Sequence, residues 1–176
     1  RVMEGAGEDP FLGSLIAAAR VRGFQGEDLS KHNTIAATAK HFAGYGFSES
    51  GRDYNTVDIS KNTLYNVVFP PFMATVDAGV RTFMNGFNEL DGVPVTGSSF
   101  LQRDILKGDW KFDGFVISDW GSIKEMIPHG YARDGEHATE LAIKAGSDMD
   151  MESHLYIKKI KGLIESKKLD IKLIDD

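Results

Sequence analysis

The segment Phe112-Asp113-Gly114-Phe115-Val116-Ile117-Ser118-Asp119-Trp120 is an apolar run that stops on an acid followed by a large aromatic. Phe115, Val116 and Ile117 read as a buried strand, and a carboxylate at the tip of such a strand is costly unless something uses or satisfies it. Asp119 there can point into a cleft, with Trp120 beside it as a flat apolar wall. That pairing suits sugar chemistry: a nucleophile or base for an anomeric carbon, and a surface on which a pyranose ring stacks. The same aspartate also reads as the cap of a following helix, because Ser122-Ile123-Lys124-Glu125 comes next. On this segment alone both readings stand.

Other polar residues fall at comparable places. Lys40 and His41 end one apolar run, Asn85 ends a second, and Asp148 and Asp150 sit in a fourth. Were these strands parallel, their C-terminal ends would open on one face and the groups would converge on one mouth. Metal ligation is the rival use of Asp and His. There is no His-Glu-x-x-His, so no metal is expected. His32, His129, His137 and His154 lie in loops or at helix edges and read as surface residues. Glu89 follows a strand end and is a tempting second acid, although a loop carboxylate usually serves its own loop.

The elements that would position these groups alternate. Asp9-Pro10 predicts a helix start, with Phe11, Leu15, Ala18 and Ala19 at helical spacing toward Gly26. A strand is expected over 35–42, then a glycine-rich loop over 44–58. Ser60 caps a second helix, expected to break at Pro70-Pro71 and resume to Gly79. Further strands are expected over 81–85, up to Asp119, and over 148–151, with helices over 98–109, 136–145 and 155–167. Strands each followed by a helix imply parallel pairing with right-handed crossovers. The expected class is α/β, a partial (β/α)8 barrel of about four consecutive units, since a whole barrel needs about 250 residues. An open four-stranded doubly wound sheet is the other arrangement of the same elements.

Composition narrows the function. The chain has 176 residues, 41% hydrophobic, enough for one cored domain. A net charge of −6 without any Lys/Arg-rich run argues against nucleic acid. No apolar stretch approaches the roughly 20 residues that span a bilayer. Cysteine is absent, so disulfides and thiol catalysis are excluded. No Gly-x-Gly-x-x-Gly turn follows a strand and no Gly-Lys-Ser/Thr occurs, so no nucleotide cofactor is expected. No signal peptide is visible, and the chain starts at Arg1 without an initiator Met, so its start is expected to be cut.

Four stretches together resemble a known family: residues 1–10 (RVMEGAGEDP), Ala39-Lys40-His41-Phe42, Gly51-Arg52-Asp53-Tyr54-Asn55 and Val116-Ile117-Ser118-Asp119-Trp120. They are similar to the β-glucosidases of glycoside hydrolase family 3, over essentially all of residues 1–176. The resemblance implies a retaining, exo-acting hydrolase that removes a terminal β-linked glucose. It assigns the nucleophile to Asp119, sugar-hydroxyl contacts to Lys40, His41 and Arg1, and the leaving-group side to Trp120. Residues 1–176 would then be the second half of the family's barrel domain. The acid/base glutamate of that family usually comes from a following α/β sandwich domain, which the chain is expected to lack. The resemblance does not support Glu89 as its substitute. A periplasmic or secreted location is implied in the same way. The alternative expectation is a catalytically silent carbohydrate-binding half-barrel, or a module that self-associates through exposed edge strands.

Overall fold

The computed structural model describes residues 5–175. Helix α1 (Pro10–Gln25) begins as its local chemistry dictates: the Asp9 carboxylate accepts from the Phe11 and Leu12 amides, and Pro10 occupies the first helical turn. Strand β1 (Thr38–Phe42) follows, three residues shorter at its start than expected. The peptide bonds Lys40–His41 and Phe42–Ala43 are cis. Strands β3 (Thr82–Asn85) and β6 (Phe115–Ile117) complete a parallel sheet in the order β1-β3-β6. Thr38 faces Thr82 and Ala39 faces Phe83, and the register shifts before Phe42 meets Asn85.

Beyond β6 the expected fourth strand shrinks to a single parallel bridge between Ile117 and Met149. The cause lies in side chains: the Asp148 carboxylate takes the Val116 amide at 2.7 Å, a ladder position that a strand's own carbonyl would otherwise fill.

The stretch read as a loop over 44–58 is not wholly irregular. It contains β2 (Thr56–Val57), which pairs parallel to β4 (Glu89–Leu90), and β4 pairs antiparallel to β5 (Val93–Pro94). Two-residue strands carry no periodicity in sequence.

The expected break at Pro70-Pro71 does not occur. Helix α2 (Lys61–Thr63), a π-helical turn (Leu64–Val68) and α3 (Phe69–Asp77) run on without interruption. The Phe69 amide reaches back five residues to the Leu64 carbonyl, and the widened turn makes room for two rings that lack an N–H. The segment Phe100–Asp109 is also π-helical. Helices α4 (Ser122–Glu125), α5 (Gly135–Ala145) and α6 (Leu155–Glu165) follow β6.

The core has two parts. The larger centres on Phe42, fully buried, whose ring meets Phe69, Phe72, Phe83 and Trp110 at 5.2–6.1 Å between centroids. Three of these contacts are edge-to-face and the one with Phe69 is stacked, geometries that add to the burial of the rings themselves. The smaller core joins Ile123 and Met126 to Ala138, Ala142 and Leu163, packing α4, α5 and α6 together. Gly114 shows why β6 can lie where it does. A Cβ there would meet the Arg81 carbonyl oxygen at 2.1 Å, so only glycine lets β6 approach β3 this closely.

Candidate active site

Because β1, β3 and β6 are parallel, their C-terminal ends share one edge of the sheet. His41, Asn85 and Asp119 lie along that edge. Asp119 is buried, and both its carboxylate oxygens are occupied. Oδ1 accepts from the Trp120 amide at 2.6 Å, and Oδ2 faces His41 Nε2 at 3.4 Å, with the two side chains 12% and 10% exposed. Asp119 does not cap the next helix. The residue preceding α4 is Gly121, in the left-handed conformation at φ 68°, with no side-chain cap. The carboxylate is thus turned from the helix toward His41.

The turn that carries Asp119 is sewn to the 149–151 segment. Ser118 N–H donates to the Met149 carbonyl, Ser118 Oγ accepts from the Met151 amide, and Gly121 N–H donates to the Met151 carbonyl, all at 2.8–2.9 Å. Ser118 is fully buried and its hydroxyl donates to the Asp119 carbonyl oxygen at 3.0 Å. These bonds hold the acid's backbone in one orientation.

The other groups expected at the mouth are distributed differently. Lys40 is exposed; together with His41 it borders a cavity of ≈1030 Å³ between α1, β1 and α3, whose walls do not include Asp119. Trp120 projects into solvent, 63% exposed. Arg1 lies outside the described residues. Asn85 is buried beneath the sheet edge and donates to Ser147 Oγ at 2.9 Å. Asp148 and Asp150 do not point into the mouth. Asp148 holds Lys107 Nζ and the Val116 amide, while Asp150 accepts from the Leu155 and Tyr156 amides and from Ser153 Oγ at the start of α6. Glu89 accepts from Thr56 Oγ1 at 2.6 Å within the small sheet. No group of three or more Asp, Glu, His or Cys side chains suited to hold a metal ion occurs among the described residues, and none of their helices is long and apolar enough to cross a membrane.

Two features escaped the sequence reading. A run of rings leads away from His41: Tyr45 meets it edge-on at 5.5 Å, Phe87 lies 6.1 Å from Tyr45, and Tyr54 lies 4.4 Å from Phe87. Tyr45 is anchored by its hydroxyl to Asp53 Oδ1 at 2.7 Å. The second feature is Glu125, the last residue of α4. Burial and the charge of Asp119 hold its carboxyl above the usual range, and its Oε2 is buried without a hydrogen-bond partner.

An α/β domain with a buried carboxylate at a strand end, facing an imidazole and flanked by an exposed indole, is the kind of site glycoside hydrolases carry. Residues 1–176 match the model of the glycosyl hydrolase family 3 N terminal domain over their whole length, and the chain belongs to that family. It is 43% identical over 176 residues to the periplasmic beta-glucosidase of Salmonella typhimurium, covering 100% of this chain and 23% of that protein. A beta-xylosidase of Formosa agariphila is 39% identical over 155 residues, covering 86% of this chain and 21% of that protein. The crystal structure of a beta-glucosidase from Listeria innocua in complex with glucose superposes with a TM-score of 0.97 at 45% identity, over 99% of this chain and 25% of that one. A mutant of that enzyme was solved with laminaribiose, at 44% identity and the same TM-score of 0.97. The chain thus spans about a quarter of the length of these relatives.

Proposed function

We propose that this chain is the nucleophile-bearing part of a retaining, exo-acting β-glucosidase that removes terminal β-D-glucosyl residues from glucosides or oligosaccharides. The observation that carries this reading is Asp119. It is a buried carboxylate at the end of the central sheet, with one oxygen pinned by the Trp120 amide and the other turned to His41. In double displacement such a carboxylate attacks the anomeric carbon and forms a glycosyl-enzyme, which water then cleaves. A second carboxyl about 5–5.5 Å away acts first as acid, then as base. Asp119 is the nucleophile in this reading. Lys40, His41 and Arg1 donate to ring hydroxyls, bonds that tighten as the oxocarbenium-like state forms. Trp120 offers an apolar face on the leaving-group side. The acid/base glutamate is supplied by a part of the protein outside residues 1–176.

Three parallel strands joined by helical crossovers suit a piece of a (β/α)8 barrel, and residues 1–176 form its second half in this reading. A periplasmic or secreted setting agrees with the Salmonella relative. A second reading rests on a different observation. Phe11, Leu15 and Phe24 of α1 and nearby Ile35 are all more than half exposed, an apolar face suited to association with a further domain or a second copy. A catalytically silent, self-associating carbohydrate-binding module would use that face and no nucleophile.

Labelling separates the two. Incubation of the intact protein with an activated 2-fluoro-glucoside is expected to give a covalent adduct on Asp119, lost in Asp119→Asn. Absence of any adduct while glucose still binds would favour the silent module.

A further inference from the structure

The loop after β1 is folded in a costly way. Gly44, Ser50, Gly51 and Tyr54 have positive φ, at 83°, 55°, 66° and 61°. For Ser50 and Tyr54 that conformation is strained. Such strain persists only where surrounding contacts over-determine it, and it gathers at working sites. Two contacts hold this loop. The Tyr45 hydroxyl donates to Asp53 Oδ1 at 2.7 Å, tying the start of the loop to its end, and the Tyr54 ring lies against Phe87 at 4.4 Å between centroids. Tyr45 is also where the loop meets the site. It is buried, and its ring stands edge-on to the His41 imidazole at 5.5 Å, with 75° between the planes. The turn after β3 backs both residues: a Cβ at Gly86 would stand 3.6 Å from the Cβ of each.

An imidazole swings about two side-chain torsions, and a donor serves catalysis only at a fixed angle. His41 Nε2 faces Asp119 Oδ2 at 3.4 Å, longer than the 2.7–3.2 Å of an ordinary N–H···O bond, so this contact orients the ring weakly. Its strength also depends on the charge of Asp119. In double displacement a carboxylate oxygen bonds to the anomeric carbon as the bond to the leaving oxygen breaks, and the leaving oxygen takes a proton from the acid. The carboxylate is then a neutral ester, and its attraction for the imidazole falls. The ring contact with Tyr45 needs no charge on Asp119 and survives that step. Tyr45 in turn is kept from swinging by the bond to Asp53.

We propose that Tyr45 and Asp53 are positioning residues that act through His41. Asp53 fixes the Tyr45 ring, and that ring fixes the imidazole at the angle from which it donates to a sugar hydroxyl, before and after Asp119 has lost its charge. Neither residue takes part in attack at the anomeric carbon. The proposal rests on the hydrolase reading of Asp119 and His41.

The test is a double-mutant cycle in the intact protein, read on 4-nitrophenyl β-glucoside. Tyr45→Phe keeps the ring and removes the hydroxyl that Asp53 holds. It is expected to lower kcat/KM about fivefold, mainly through kcat, in a protein that still melts cooperatively. In a His41→Ala background the same change should cost less than about twofold, because no imidazole remains to be positioned. Asp53→Asn keeps an acceptor for the hydroxyl and should lose less than Asp53→Ala. An unaltered kcat/KM in Tyr45→Phe, or an equal loss with and without His41, would overturn the positioning role while leaving the hydrolase reading intact. A wild-type protein inactive on the glucoside and unlabelled at Asp119 would overturn the hydrolase reading and the positioning role with it.

Discussion

His41 Nε2 stands 3.4 Å from Asp119 Oδ2, although His41 belongs to β1 and Asp119 follows β6, and those two strands do not pair. Strand β3 lies between them, so the sheet itself sets the spacing of imidazole and carboxylate. The opposite oxygen of Asp119 is tied to the amide of the next residue at 2.6 Å. One side of the acid is therefore fixed locally and the other only by the fold.

If Asp119 is the nucleophile, Asp119→Asn in the intact protein should lower kcat on an aryl β-glucoside by roughly three orders of magnitude or more. His41→Ala removes a positioned donor and should cost about 10–100-fold in kcat/KM. Steady-state kinetics on both variants checks this. An active Asp119→Asn protein would remove Asp119 from that role.

Glu125 should destabilise the fold at neutral pH. Its carboxyl is held above the ordinary value of 4.5 by burial first and by the Asp119 charge second. With a raised folded-state value, the group's contribution is full below the ordinary value and is lost as pH rises through the native one. Glu125→Gln should therefore melt higher than wild type at pH 7, and the advantage should vanish below about pH 4. Thermal unfolding across pH 3.5–8 reads this directly.

Phe42 is the hub of the larger core, stacked or edge-on to four other rings. Phe42→Ala should cost about 3–5 kcal/mol, measured as a shifted denaturant midpoint with an unchanged slope. Since His41 precedes it in the same strand, activity should fall with stability.

Asp150 accepts from the Leu155 and Tyr156 amides at 2.8 and 3.2 Å. Asp150→Ala should cost about 1–2 kcal/mol, as the loss of a helix cap does, and should speed hydrogen exchange at those two amides before others in α6. Retained protection there would show that the start of α6 is held by something else.

What could be read from the chain alone was local. Asp9-Pro10 announces α1 because the cap and the proline act within one turn. The Phe115–Ile117 run announces a strand and Gly146 closes α5, each through the chemistry of neighbouring residues. The motif around Ser118, Asp119 and Trp120 carried the family, which the match over residues 1–176 establishes.

Tertiary structure decided the rest, since it depends on partners far away in sequence. Asp119 faces His41 instead of capping α4, because a positive-φ glycine occupies the capping position. Asp148 and Asp150 are drawn into backbone hydrogen bonds, because Val116, Leu155 and Tyr156 present amides with nearer claims on them. Prolines 70 and 71 stay helical through a widened turn that hydropathy does not register. Glu125 gains its meaning only when the turn after β6 folds α4 back beside Asp119. Sequence reveals which residues carry charge, but the energy of a charge depends on what surrounds it, and only the folded chain specifies that.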